Sequence, residues 1–225
     1  GAIYFTFQIY GDFSGYSDIA LGTSKLFGID LLRNFNYPYF SRDIAEFWRR
    51  WHISLSSWFR DYLYFPLGGS HGSLMMKIRN TFIIFLVSGF WHGANWTFIV
   101  WGLLNALYFM PLLITNNNRN HIEIVAKGKL LPSLKEFFQM LLTFFLAVFA
   151  WIFFRSETVG QALSYIKKLF SFNFKGGVEY LSVERYSVEL IFLLFLFLIF
   201  EWTSREFEHP FSRGFKQLKL LLVLI

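Results

Sequence analysis

Cysteine is absent from the 225 residues. That excludes a catalytic thiol, a disulfide framework and a thiolate metal site. Charge is scarce as well, at 16% Asp, Glu, Lys and Arg, against about 25% in an ordinary soluble domain. From Thr81 to Thr115 there are 35 residues without any of the four. A basic stripe is also lacking. The net charge of +6 is scattered between apolar stretches, as loop charge is in membrane proteins, which argues against nucleic acid as a partner. Gly68-Gly69-Ser70 lacks the Gly-Lys-Ser/Thr ending of a phosphate-binding loop. Gly11-Asp12-Phe13-Ser14-Gly15 is not the Gly-x-Ser-x-Gly nucleophile elbow, and no strand precedes it. The histidines have no third ligand at zinc-site spacing, so no metal and no bound cofactor are expected. The chain opens at Gly1 inside apolar sequence and closes on Leu220 to Ile225 in another apolar run. No signal-peptide pattern is found at the start. We therefore expect a fragment of a longer membrane protein whose N-terminal helices lie elsewhere.

What the chain does contain is apolar and aromatic. Hydrophobic residues make up 55%, with 31 Phe, 11 Tyr and 8 Trp, an excess suited to lipid-facing helices and interfacial aromatic belts. The expected fold class is all-α: a polytopic transmembrane helical bundle, one transmembrane domain over 1–225. Residues 1 to about 31 read as a helix interrupted by Gln8, Asp12, Ser14, Ser17 and Asp18. Carboxylates in a span face a bundle interior or a wet cavity, or serve plain helix–helix hydrogen bonding. Arg42 to Tyr64 has apolar residues at 44, 47, 48, 51, 55, 58, 59, 62 and 63. That period predicts an amphipathic helix at or dipping into the membrane interface, with Arg49, Arg50, Arg60 and Asp61 on its other face. Pro66-Leu67-Gly68-Gly69 should end it.

The uncharged run of 81–115 would be about 52 Å long as one helix, against ~30 Å of hydrocarbon. It should break at Gly93-Ala94-Asn95. Further spans are expected at about 136–154, 187–203 and 217–225. Loop charge tests the break. If 81–115 is a hairpin, loops 33–79, 116–135 and 204–216 share a side with seven, four and three Lys/Arg, against five in 155–186. A single crossing divides the charges more evenly, so the positive-inside rule favours the hairpin with 33–79 cytoplasmic.

Two histidines could carry chemistry. His92 stands in Ser88-Gly89-Phe90-Trp91-His92-Gly93-Ala94-Asn95-Trp96, inside the uncharged run and beside the expected break. A neutral imidazole next to a substrate hydroxyl is a competent general base, and ionisable groups within spans are functional by default. Gly89 and Gly93 clear space beside it. His52 lies on the Trp48/Trp51/Leu55 side of the amphipathic segment, where a structural role is the ordinary one. His71, His121 and His209 read as surface residues.

These strings together resemble the membrane-bound O-acyltransferase family. The resemblance rests on Gln8-Ile9-Tyr10-Gly11-Asp12-Phe13-Ser14-Gly15-Tyr16-Ser17-Asp18-Ile19-Ala20, on Phe47-Trp48-Arg49-Arg50-Trp51-His52-Ile53-Ser54-Leu55 and on Trp58-Phe59-Arg60-Asp61-Tyr62-Leu63-Tyr64. Pro66-Leu67-Gly68-Gly69 and the His92 string complete it. It covers roughly residues 1–110 and is nearest to the bacterial branch that acetylates polysaccharides such as alginate. The resemblance implies helices around a funnel crossing the inner (cytoplasmic) membrane, with His92 and His52 as the catalytic pair. Asp12, Ser14, Asp18, Trp51, Arg60, Asp61, Trp91 and Asn95 would line the tunnel or bind substrate. It also implies an acyl thioester donor such as acetyl-CoA, a cell-envelope polysaccharide acceptor and a periplasmic or extracellular partner acyltransferase, all among membrane lipids. Direct transfer and an acyl-His intermediate both fit. Two alternatives stay open: D-alanyl transfer to teichoic acid, and a non-enzymatic transporter or scaffold for an acylated carrier.

Overall fold

The structure, a computed structural model, describes residues 1–171 and 184–207. The expected span at 217–225 lies outside the described residues, as does His209. Among the described residues every regular element is helical. Helix α1 runs Ala2–Leu26, α2 Ile44–Arg50, α3 Ile53–Phe59, α4 Leu74–His92, α5 Trp96–Ile114, α6 Leu134–Arg155, α7 Val159–Phe170 and α8 Glu184–Ser204. Three of them, α4, α5 and α6, are each long and apolar enough to cross a membrane. The expected spans at 136–154 and 187–203 fall within α6 and α8. The amphipathic α7, in a stretch read as a connecting loop, was not anticipated.

The uncharged run breaks where its length demands. Helix α4 ends at His92 and α5 begins at Trp96, with Gly93 at φ 157° and ψ 153°. Asn95 caps α5 by accepting from the Thr97 amide at 3.1 Å. The two helices are antiparallel and almost touch. A Cβ on Gly89 would collide with the Phe98 carbonyl, and one on Gly102 with the Phe85 carbonyl. These two glycines let the backbones approach as small residues do in membrane bundles.

The segment 42–64 departs from expectation. It is two short helices and a π-helical turn, Arg60–Tyr64, rather than one amphipathic helix. The break falls on Trp51-His52: His52 is left-handed, at φ 45° and ψ 57°. Its inner face is core. Phe47 and Trp51 are buried and stacked at 5.5 Å. Arg50, expected on the polar face, is buried too. Glu46, 1% exposed as a side chain, pairs with Arg42 at 3.0 Å and with Arg50 at 2.8 Å. Arg50 also donates to the Asn36 carbonyl at 3.2 Å, and Arg49 to the His121 carbonyl at 2.8 Å. A charge cluster of this kind is tolerable inside a protein only when its hydrogen bonds are met. Here the backbone of 36 and of the loop after α5 meets them, which pins α2 beneath the bundle.

Candidate active site

His92 is the last residue of α4, immediately before the break at Gly93. The imidazole is half-buried and surrounded by rings: Trp91 at 5.0 Å, Phe154 at 5.0 Å, Trp101 at 5.3 Å and Phe98 at 6.2 Å between centroids. α5 supplies Phe98 and Trp101, and α6 supplies Phe154. Among the described residues neither ring nitrogen of His92 has a hydrogen-bond partner. Both are left for a ligand. Edge-to-face packing fixes the plane of the ring while consuming none of its hydrogen-bonding capacity.

His52 reaches the same core from the other direction. Its ring packs edge-on against Phe13 of α1 at 4.6 Å. From there rings follow in contact through Phe35 (4.9 Å), Trp51 (5.0 Å), Trp151 (5.2 Å) and Trp101 (5.8 Å) to His92. Burial first, and then the charge His92 would carry, hold the His52 imidazole down to about 4 from the usual 6.5. Its Nδ1 lies 3.5 Å from Ser54 Oγ. That Ser54 faces His52 could not be read from its place in the string.

A cavity of about 510 Å³ opens between α3, the π turn, α4 and α5, and neither histidine lines it. Lys77, Asn116, Asn118 and Arg119 line it, together with apolar Phe85, Phe109 and Leu113. Ser88 and Trp48 line it as well. Ser88 is one turn before His92 on the same face of α4, and Trp48 touches Trp101 at 5.7 Å. Lys77 and Ser88 are eleven residues apart, or about 16 Å along the helix. Among the described residues neither Lys77 nor Arg119 has an ion-pair partner for its side chain.

The remaining expected site residues divide. Trp91, 58% exposed, borders His92. Asn95 caps α5 and donates to the Glu157 carbonyl at 2.8 Å, joining the turn after His92 to the end of α6. Trp51 is core, a link in the ring series. Ser14 and Asp18 come together with Tyr10, Arg33 and Glu201 around a small recess of about 40 Å³, where Tyr10 donates to Glu201 at 2.8 Å. That recess joins α1 to α8 and contains neither histidine. Asp12 is exposed on α1. Arg60 and Asp61 are exposed and pair with each other at 2.8 Å, not with a histidine.

Among the described residues no group of three or more His, Asp or Glu could hold a metal ion.

Comparison with known proteins gives this geometry its setting. Residues 2–155 match the membrane-bound O-acyltransferase family, MBOAT. A probable alginate O-acetylase of Pseudomonas aeruginosa is 45% identical over 172 residues, which cover 76% of this chain and 31% of the relative. A peptidoglycan O-acetyltransferase of Helicobacter pylori is 41% identical over 169 residues, 75% of this chain and 31% of the relative. A teichoic acid D-alanyltransferase of Streptococcus thermophilus is 42% identical over 115 residues, 48% of this chain and 28% of the relative. The chain thus spans about a third of the length of the relatives first named, and residues 2–155, matched by the family, include both histidines, α1 and the α4–α5 hairpin. It belongs to the membrane-bound O-acyltransferase family.

Proposed function

We propose that the full-length protein is an inner-membrane O-acyltransferase. It would move an acyl group, acetyl in the leading reading, from a cytoplasmic thioester such as acetyl-CoA to a hydroxyl on a cell-envelope polysaccharide. The observation that carries the reading is the state of His92: a caged imidazole whose nitrogens have no hydrogen-bond partner among the described residues, at a helix break, in a chain of this family. His92 takes the proton of the acceptor hydroxyl as that oxygen attacks the thioester carbonyl carbon. The new C–O bond forms, the C–S bond breaks, and the departing thiolate takes that proton back from His92 to leave as thiol. Such help is worth about 10²–10⁴-fold, and holding both reactants in a site shielded from water adds a proximity gain.

The cavity supports a donor route. Its Lys77 and Arg119, without an ion-pair partner among the described residues, lie at the ends of α4 and α5 opposite His92, and its wall reaches Ser88, one turn from His92. The acceptor would then come from the side of Trp91 and Asn95, where a periplasmic or extracellular partner acyltransferase would receive or pass on the group. In the full-length protein, His92→Ala should reduce acyl transfer by at least 10²-fold while membrane insertion is unchanged. Transfer at the wild-type rate in that variant would overturn the reading. The resemblance to a teichoic acid D-alanyltransferase keeps a second reading within the same fold. Supplying acetyl-CoA against a D-alanyl carrier thioester separates the two by which donor is consumed.

A further inference from the structure

One polar network touches the candidate site and has no part in the proposal above. Asn34, in the irregular segment between α1 and α2, reaches across to the left-handed turn at His52. Its carbonyl accepts from the Ile53 amide at 3.0 Å. Its side-chain Oδ1 accepts from the Ser54 amide at 3.2 Å and from Ser54 Oγ at 2.6 Å. Its Nδ2 donates to Ser17 Oγ on α1 at 3.4 Å. Three donors therefore converge on one residue across a backbone conformation that costs a non-glycine residue energy to hold.

The chemistry of the donors fixes the direction of every bond. The Ser54 amide can only donate, so the Asn34 atom facing it is oxygen, not nitrogen. Ser54 Oγ lies within a short hydrogen bond of that same oxygen, which has only lone pairs to offer, so the hydroxyl proton is spent there. What Ser54 Oγ turns toward His52 Nδ1, 3.5 Å away, is a lone pair. Against a lone pair the imidazole is favoured with its proton on Nδ1 and disfavoured with Nδ1 bare. A neutral imidazole protonated on Nδ1 has a bare Nε2, which accepts hydrogen bonds and cannot donate them.

We propose that Asn34 and Ser54 are positioning residues that set His52 as an Nε2 acceptor. In that state His52 orients the acceptor by taking a hydrogen bond from a hydroxyl neighbouring the one whose proton His92 removes, and does not polarise the acyl carbonyl. This catalytic half rests on the acyltransfer reading; the tautomer half stands apart from it.

The test uses the full-length protein labelled with ¹⁵N-histidine, with His52 assigned by comparison with His52→Asn. At neutral pH the wild type should show Nδ1 protonated and Nε2 bare. Ser54→Ala and Asn34→Ala should each shift His52 toward the other tautomer, and Ser54→Thr, which keeps the hydroxyl, should restore it. Should Asn34→Ala not fold, Ser54→Ala carries the test alone. Steady-state kinetics provide a second readout. Ser54→Ala should lower kcat about tenfold, part of what general acid–base help supplies, and should lower it no further once His52 is already Asn. An Nε2-protonated wild type, an unmoved tautomer in Ser54→Ala, or a further kcat loss in the His52→Asn background would each overturn the proposal. If the tautomer responds as stated but the wild type consumes no thioester, the positioning stands and the acyltransfer reading falls.

Discussion

Above pH 6.5 a histidine is mostly neutral whether or not the chain is folded, so burial there has no charge to penalise. Below that value His52 in the unfolded chain takes up a proton, while folded His52, drawn down to about 4, does not. The unfolded state therefore binds more protons between those values, and folded stability falls as pH drops through that window. Replacing His52 by Asn removes this dependence. We predict that the gap in thermal midpoint between wild type and His52→Asn, in detergent, shifts toward the variant as pH falls from 7 to 5. An equal gap at both values would show that His52 ionises freely in the fold. The same depression keeps His52 uncharged throughout neutral pH, so it can act there as an acceptor without first losing a proton.

On the scale of elements, the α4–α5 hairpin depends on two glycines that differ from Gly93 in what a side chain would meet. At Gly93 an added Cβ comes within 2.7 Å of the Phe98 ring, a side chain that can turn. At Gly89 and Gly102 it meets backbone carbonyl on the facing helix, which cannot turn. Gly89→Ala or Gly102→Ala should therefore force the helices apart and cost about 1–3 kcal/mol or more, seen as a lower thermal midpoint. Gly93→Ala should perturb Phe98, and with it the face of His92, and should also cost stability, because φ 157° with ψ 153° is a backbone conformation that a residue with a side chain holds only under strain. A Gly89→Ala protein as stable as wild type would show that the helices do not meet at this point. The hairpin was legible because 35 uncharged residues exceed a bilayer and Gly-Ala-Asn is a poor helix centre. The kink at His52 was not. Apolar positions 44, 47, 51, 55, 59 and 62 keep a helical phase straight across it, and the hydrogen bonds that hold it come from Asn34, outside the repeating pattern. The same reasoning covers Arg50, whose burial depends on Glu46 and on carbonyls that no helical wheel displays. Helix α7 was missed because a 12-residue amphipathic helix between spans looks like a polar connection.

For the whole molecule, the elements sort by which end of the bundle they share. His92, Asn95 and Glu157 meet at one end, tied by the Asn95–Glu157 bond. Lys77 and Arg119 share a cavity at the other, so the start of α4 and the end of α5 lie together. If both helices cross the membrane, the two ends face opposite compartments, and the positive-inside rule predicts the Lys77 end on the cytoplasmic side. If 81–115 crossed only once, His71 and Asn117 would instead lie on opposite sides. The lack of cysteine in these residues makes the distinction measurable. Single replacements His71→Cys, Asn117→Cys and Glu157→Cys, in a cysteine-free background of the full-length protein, place one thiol at each exposed position. With a membrane-impermeant maleimide on intact cells, Glu157→Cys should label, whereas His71→Cys and Asn117→Cys should label only after the membrane is opened. Labelling of Asn117→Cys on intact cells alongside protection of His71→Cys would replace the hairpin by a single crossing. The cavity proposed for the donor and the His92 end proposed for the acceptor would then no longer lie on the two sides that transfer across a membrane requires.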